Sequence, residues 1–307
     1  VFHKNSTQEE VKEKIIFYLN NNFKQEGKSP STIAPYKRAL NNFRSFIKNV
    51  IELMGKPVMS VLPGQLSFFL LLSIIPILLI ISLASSFLSI PTDSLANLIS
   101  NGFPAGTGSL IIPLLKEKTL DYSTIFLMVS ALLLVSKGTR SIMRVASIIY
   151  GSQDKNTIRE IIKSFIMAII FILLVAFIII IPMFSTKVLN ILHNFKIISS
   201  LTDNIIFVYN ILKWPISIFI IYINIKFIYM ISPNKKISAK SVNKGAIFTT
   251  ILWSILTSLY SFYISNISSY DTFYGSASKI IVLMLWIYLI SYIFVLGMSI
   301  NANSNIE

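Results

Sequence analysis

The sequence predicts an all-α, polytopic membrane protein with six transmembrane helices and a cytoplasmic amphipathic N-terminal helix. The 307-residue chain is 54% hydrophobic and only 13% charged, against about 25% charged residues in ordinary soluble domains. Its mean hydropathy is +0.70. The apolar residues fall into long uncharged runs, and about twenty such residues in a helix cross a bilayer core. The basic residues cluster between alternate runs, which is typical of a multi-pass protein.

The apolar runs define the predicted spans, and all are uncharged except the fourth, which has Lys213 and Lys226 near its opposite ends. Their positions are 66–88, 124–136 (the start of the second span), 164–184, 211–231, 246–264 and 280–300. None alternates with the period of two that a membrane barrel strand requires. The chain is therefore divided into a basic cytoplasmic segment at 1–56, a six-helix transmembrane domain at 57–303 and a C-terminal tail at 304–307.

The positive charge of the chain gives its orientation. The formal net charge is +14. Twenty of the basic residues lie before span one, between spans two and three, or between spans four and five, whereas five lie in the opposite loops. Because basic loops stay on the cytoplasmic side, both termini are predicted to be cytoplasmic. Most of the charge is thus an orientation signal, and no nucleic-acid partner is predicted.

The N-terminal segment contains an amphipathic pattern. Apolar residues recur at steps of four and three and share one helical face; they are Tyr36, Leu40, Phe43, Ile47, Val50 and Met54. Basic residues occupy the other faces. Two interpretations stay open: the helix lies on the anionic inner leaflet, or it packs against the cytoplasmic end of the bundle.

The sequence lacks the usual groups for catalysis. Cysteine is absent, so there is no thiolate metal site or catalytic thiol. The two histidines, His3 and His193, are predicted on opposite sides of the membrane, and no predicted span carries Asp or Glu. There is no HExxH motif, and Asn22 stands where a P-loop ending at Gly27-Lys28-Ser29 needs its first glycine. We therefore predict no catalytic residues, no metal, no cofactor and no enzymatic activity.

The exit of span two carries the candidate binding residues. Its uncharged stretch at 122–136 would rise only about 22 Å, less than the bilayer core, yet the helical pattern continues beyond it. Lys137, Arg140 and Arg144 then fall at i, i+3 and i+7 on one stripe. Either the helix ends near Lys137 and these cations snorkel, or they line an internal face and bind an anion such as a lipid phosphate.

Four short motifs, in chain order, resemble those of one family. They are Ser73 with Pro76 in span one; the span-two exit ending at Tyr150; Pro233, Asn234 and Gly245 between spans four and five; and Tyr274, Gly275, Trp286, Gly297 and Asn301 around span six. Over about residues 45–303 the chain is similar to the YihY/virulence factor BrkB family, once labelled ribonuclease BN. It departs at Ala146-Ser147, where many members have Asn, and at Met298-Ser299, where members often have an Ala-Glu pair.

The resemblance implies a six-span protein of the bacterial cytoplasmic (inner) membrane with both ends inside. Some members of the family are implicated in export or flipping of lipids. We therefore expect a transporter or translocase for an anionic lipid or amphiphilic anion, with membrane lipids and anionic headgroups of the cytoplasmic leaflet as partners. The alternative is a non-transporting scaffold whose basic N-terminal helix binds membrane or a partner. Ribonuclease activity is disfavoured, because an external His193 cannot reach cytoplasmic RNA.

Overall fold

The fold is known from a computed structural model that describes residues 30–87, 122–152, 158–172, 199–266 and 275–303, together with Phe17 and Ala96. Several predicted features lie outside these residues. They are the two histidines, the second part of predicted span three at 173–184, Tyr274 and the tail at 304–307. The chain divides into two compact units, Val1–Gly55 and Lys56–Glu307.

All regular structure in the described residues is helical. The helices are α1 (Pro30–Met54), α2 (Pro57–Phe87), α3 (Tyr122–Ile149), α4 (158–172), α5 (Ser199–Ile231), α6 (Asn243–Asn266) and α7 (Ser278–Asn303), with a 3-10 turn at Gly275–Ala277. α1 belongs to the first unit and α2 to α7 belong to the second. The all-α class is thus confirmed for this part of the chain.

Three helices in the described part of the chain are long and apolar enough to cross a membrane. They are the segment Pro57–Ile80 of α2, the whole of α6 and the whole of α7. Pro215–Ile231 of α5 is apolar but shorter. These segments overlap predicted spans one, five, six and four. The membrane class is therefore supported directly, whereas the total of six spans stays a prediction.

α3 runs without interruption past the basic residues of the span-two exit. It ends in a Schellman motif, in which the Ser152 amide donates to the Ser147 carbonyl at 2.9 Å and the Gly151 amide donates to Ile148 at 3.3 Å. Gly151 supplies the left-handed conformation that this ending needs, with φ of 60°. The predicted continuation of the helix is therefore confirmed, and the helix does not end near Lys137.

α6 and α7 form an antiparallel pair that is bonded along its length. Asn301 near the end of α7 accepts from the Gly245 amide near the start of α6, whereas the Tyr260 hydroxyl donates to the Val282 carbonyl at the opposite end, 2.8 Å away. Between them, the Trp253 indole N–H donates to the Ile290 carbonyl at 2.8 Å. α7 also packs against α2, which in turn packs against α3. The last helix, α7, therefore packs against both α6 and α2.

Candidate functional site

The three cations of the α3 stripe differ in their surroundings. Lys137 and Arg144 are exposed, whereas Arg140 between them is half-buried. The residues on either side of Arg140, Thr139 and Ser141, are both buried. All three lie within α3, where their spacing predicts one stripe, but only Arg140 is turned partly into the fold.

Contacts between α3 and α2 locate Arg140 along the bundle. Gly138 lies so close to Ser73 that an added Cβ would collide with the Ser73 hydroxyl and lie 3.4 Å from the Phe69 carbonyl oxygen. Ser73 is well inside Pro57–Ile80, a segment able to cross a membrane. Arg140 is two residues beyond Gly138, about 3 Å along the helix axis. It therefore lies at the height of an apolar part of α2, but about 200° around α3 from the side that Gly138 presents to Ser73.

The guanidinium of Arg140 has an unmet hydrogen-bonding requirement. Its Nε is enclosed, and no hydrogen-bond partner for it exists among the described residues. Arginine has five N–H donors and no acceptor, and it stays charged. An unsatisfied buried donor costs about 1–3 kcal/mol, and more when the group is charged. An anion beside Arg140 would satisfy this donor and would be held by a charge-assisted bond.

The backbone near Arg140 is fixed by its neighbours. The Thr139 hydroxyl lies 2.8 Å from the Ser164 carbonyl oxygen on α4 and 3.0 Å from the Ser136 carbonyl oxygen on α3. Thr139 and Ser164 are both buried. This bond joins α3 to α4 one residue before Arg140, so the backbone that carries the guanidinium is held against α4.

Tyr150 adds a second enclosed polar group at the end of α3. Its hydroxyl is buried without a hydrogen-bond partner in the described part of the chain. Burial raises the pKa of Tyr150 above its usual range, because desolvation disfavours the phenolate. Tyr150 therefore presents a neutral hydroxyl, one residue after the last residue of α3.

The Pro233-Asn234 motif joins the α5–α6 connection to α4. The Lys163 ammonium donates to the Pro233 carbonyl at 2.8 Å and to the Asn234 side-chain carbonyl at 3.2 Å. The Asn234 amide donates in turn to the Glu160 carboxylate at 3.3 Å. Sequence reasoning singled out Pro233 and Asn234 but missed Lys163 and Glu160. Partners about seventy residues apart leave no spacing signal in the sequence.

The last-span motif residues meet the start of α6. The Gly245 amide donates to the Asn301 side-chain carbonyl at 2.7 Å. Gly245 and Gly297 lie where the two helix backbones approach most closely, since an added Cβ on Gly245 would collide with the Gly297 carbonyl. The nearby Tyr229 hydroxyl, on α5, donates to the Phe294 carbonyl at 2.6 Å. These motif residues therefore hold α5, α6 and α7 together.

Comparison with known proteins places this bundle in a family. The family described as "Virulence factor BrkB" matches residues 51–306, which is most of the chain. The chain belongs to the virulence factor BrkB family. This BrkB-family protein is also similar to membrane proteins called UPF0761 membrane protein, for example in Vibrio atlanticus (strain LGP32), with 26% identity over 280 residues, 87% of this chain and 84% of that protein.

Two further similar proteins carry different names. The chain is 32% identical over 246 residues to "Putative ribonuclease-like protein YfkH" of Bacillus subtilis (strain 168), which covers 78% of this chain and 87% of that protein. A UPF0761 membrane protein of Vibrio campbellii (strain ATCC BAA-1116) is 25% identical over 268 residues, 84% of this chain and 81% of that protein. No solved structure matches the chain.

The structure also describes four other motif residues of this BrkB-family protein, namely Ser73, Pro76, Gly275 and Trp286. The Ser73 hydroxyl donates to the Phe69 carbonyl at 2.8 Å, within α2, which continues through Pro76. Gly275 has φ of 51° and begins the 3-10 turn before α7. The Trp286 indole N–H lies 3.4 Å from the Thr257 hydroxyl oxygen.

No group of three or more His, Cys, Asp and Glu that could hold a metal exists in the described ranges. The predicted absence of a metal, a cofactor and an enzymatic activity stays a prediction.

Replacing Asn234 with alanine should weaken the attachment of α4. The change removes the acceptor for Lys163 and the donor to Glu160, and we expect the free energy of unfolding to fall by about 1–2 kcal/mol. Thermal unfolding in detergent, followed by tryptophan fluorescence, measures the difference. The matched control is Lys235→Ala at the next, exposed position. Equal midpoints for the two variants would show that these bonds contribute no net stability.

Proposed function

We propose that this BrkB-family protein is a membrane transporter or translocase whose substrate is an anionic lipid or another amphiphilic anion. Arg140 is the residue that binds the anionic group. The observation that carries the proposal is its enclosed Nε, which has no partner in the described part of the chain. A phosphate is the chemical partner that Arg140 would bind, because guanidinium and phosphate match in charge and geometry.

The position of Arg140 supports this assignment over simple anchoring. A snorkelling cation extends to water from the end of a helix. Arg140 instead lies mid-helix, at about the same height along the bundle as Ser73, which belongs to an apolar segment able to cross a membrane. Intramembrane cations generally face a partner or a cavity. The exposed Lys137 and Arg144 on the same stripe would attract the anion toward Arg140.

The proposed topology is six spans in the bacterial inner membrane, with both termini in the cytoplasm. It rests on the six apolar runs and on the twenty-to-five distribution of basic residues. The antiparallel pairing of α6 and α7 agrees with it, since the start of α6 and the end of α7 lie together. Substrate entry from the cytoplasmic leaflet would follow from the basic character of that side.

Arg140→Gln should slow transbilayer lipid movement. The purified chain is reconstituted in vesicles that contain a fluorescent probe of either phosphatidylglycerol or phosphatidylcholine. The fluorophore is attached to the acyl chain close to the headgroup. Movement of the probe across the bilayer is followed by dithionite quenching. Losing a charge-assisted hydrogen bond worth about 1.5–3 kcal/mol predicts at least about a tenfold slower movement of the anionic probe. Arg140→Lys should give an intermediate rate, because it keeps the charge but loses the planar fork.

The control variant is Lys236→Gln, an exposed cation in the α5–α6 connection that should change the rate less than twofold. Movement no faster than in empty vesicles, for both lipid probes, would contradict the translocase and favour the scaffold alternative. Equal rates for Arg140→Gln and the unchanged chain would remove Arg140 from the binding site, even if movement occurs.

A further inference from the structure

α1 carries an apolar stripe that is exposed in the structure. Its members are separated by seven, four, four and three residues and so share one face of the helix; they are Tyr36, Phe43, Ile47, Ile51 and Met54, which are 55%, 62%, 40%, 61% and 46% exposed. Two apolar residues of α1 are buried: Val50, at the edge of this face, and Leu53, beside it. The stripe is therefore the exposed part of a face whose edge is covered at Val50.

Basic residues border this stripe on one side. Arg44 and Lys48 each precede a stripe residue, Ile47 and Ile51, by three positions, so they lie beside it on the helix surface. Between residues 30 and 56 there are five basic residues and one acidic residue, Glu52. An apolar face next to a basic edge is the pattern of helices that lie in a membrane interface.

We infer that α1 is a membrane-surface helix, whose exposed stripe inserts into the acyl boundary of an anionic leaflet while Arg44 and Lys48 contact lipid phosphates. The occupant is the bilayer surface, because the stripe offers large apolar side chains beside a basic edge, and Glu52 is the one acidic residue in the sequence of α1. A protein partner with an apolar groove would match the stripe, but it would not require the neighbouring cations. This role is separate from the anion site on α3 and does not depend on transport.

The 307-residue chain contains no cysteine, so single cysteines can be introduced into it and labelled without other changes. Nitroxide labels are placed at Ile51→Cys on the stripe and at Asn42→Cys, which is exposed and lies on the opposite side of the helix. The labelled proteins are reconstituted in vesicles of phosphatidylcholine with or without phosphatidylglycerol. Electron paramagnetic resonance then measures the collision of each label with oxygen and with a water-soluble nickel chelate.

In phosphatidylglycerol vesicles we expect the Ile51→Cys label to collide mainly with oxygen and the Asn42→Cys label mainly with the nickel chelate. Adding Arg44→Glu and Lys48→Glu should return the Ile51→Cys label toward water, since each interfacial cation strengthens association about fivefold. High salt should act in the same direction.

Three results would overturn the inference. Equal nickel access at both positions would place the stripe in water. Protection of the Ile51→Cys label from both reagents would mean that protein covers the stripe. Oxygen access that is unchanged by the charge reversals and by phosphatidylglycerol would show insertion without recognition of anionic lipid. A normal far-ultraviolet circular dichroism spectrum confirms that each variant is folded.

Discussion

Gly297→Leu should prevent stable packing of α7 against α6. An added Cβ would collide with the Thr249 hydroxyl and would lie 2.6 Å from the Tyr229 hydroxyl oxygen and 2.9 Å from the Gly245 carbonyl oxygen. The last of these is backbone, so it cannot move aside without separating the helices. Overpacking typically costs about 1–3 kcal/mol, and we expect a value of about 3 kcal/mol or more for this larger side chain.

The effect is measured as the thermal midpoint in detergent and as the yield of monodisperse protein. A loss of about 3 kcal/mol lowers the midpoint by roughly 6–12 °C. Gly64→Ala is the matched control, because Gly64 lies in α2 and an added Cβ there meets nothing within 4 Å. That variant should be stabilised by about 0.5–1 kcal/mol through its higher helix propensity. Unchanged unfolding of Gly297→Leu would disprove the close contact.

Asn301→Leu should be the second strongly destabilising change. Its side-chain carbonyl accepts from the Gly245 amide at 2.7 Å, one of the first amides of α6, which have no partner inside their own helix. Asn301 is fully buried, so water cannot replace it. We expect a loss of about 2–3 kcal/mol, since an unsatisfied buried donor costs about 1–3 kcal/mol and leucine has a different shape.

Ser299→Ala provides the comparison for Asn301→Leu on the same helix. The Ser299 hydroxyl donates to the Val295 carbonyl at 3.0 Å, within α7. Removing it leaves no orphaned group on another helix, so the loss should stay below about 1 kcal/mol. Both variants are unfolded in guanidinium or by heat in the same detergent. Equal losses would mean that the bond between α6 and α7 adds nothing to their association.

Several structural features were predictable because they depend on position along the chain alone. The apolar runs of spans one, five and six match segments able to cross a membrane. The continuation of α3 past Lys137 followed from helical spacing, and the motif ending at Tyr150-Gly151 marks the helix end seen in the structure. The close approach of Gly245 and Gly297 had no such signal, since the two glycines belong to different helices.

The candidate site was predictable only in part. Spacing placed Lys137, Arg140 and Arg144 on one stripe, but it did not indicate which of them is turned into the fold. The contact of Gly138 with Ser73 sets the level of Arg140 beside α2. The bonds of Lys163 to Pro233 and Asn234 likewise depend on how α4 meets the α5–α6 connection.

The sequence by itself determined that this protein is a helical membrane protein of the BrkB family. A helix that crosses the hydrocarbon core needs a long uncharged stretch. Such a stretch can be recognised within one continuous segment of the sequence. Only the tertiary structure decided that the Nε of Arg140 is enclosed with no partner among the residues that the structure describes, and that Asn301 meets Gly245. A side chain's burial and its partners depend on which other helices surround it, and that arrangement comes from packing between distant segments.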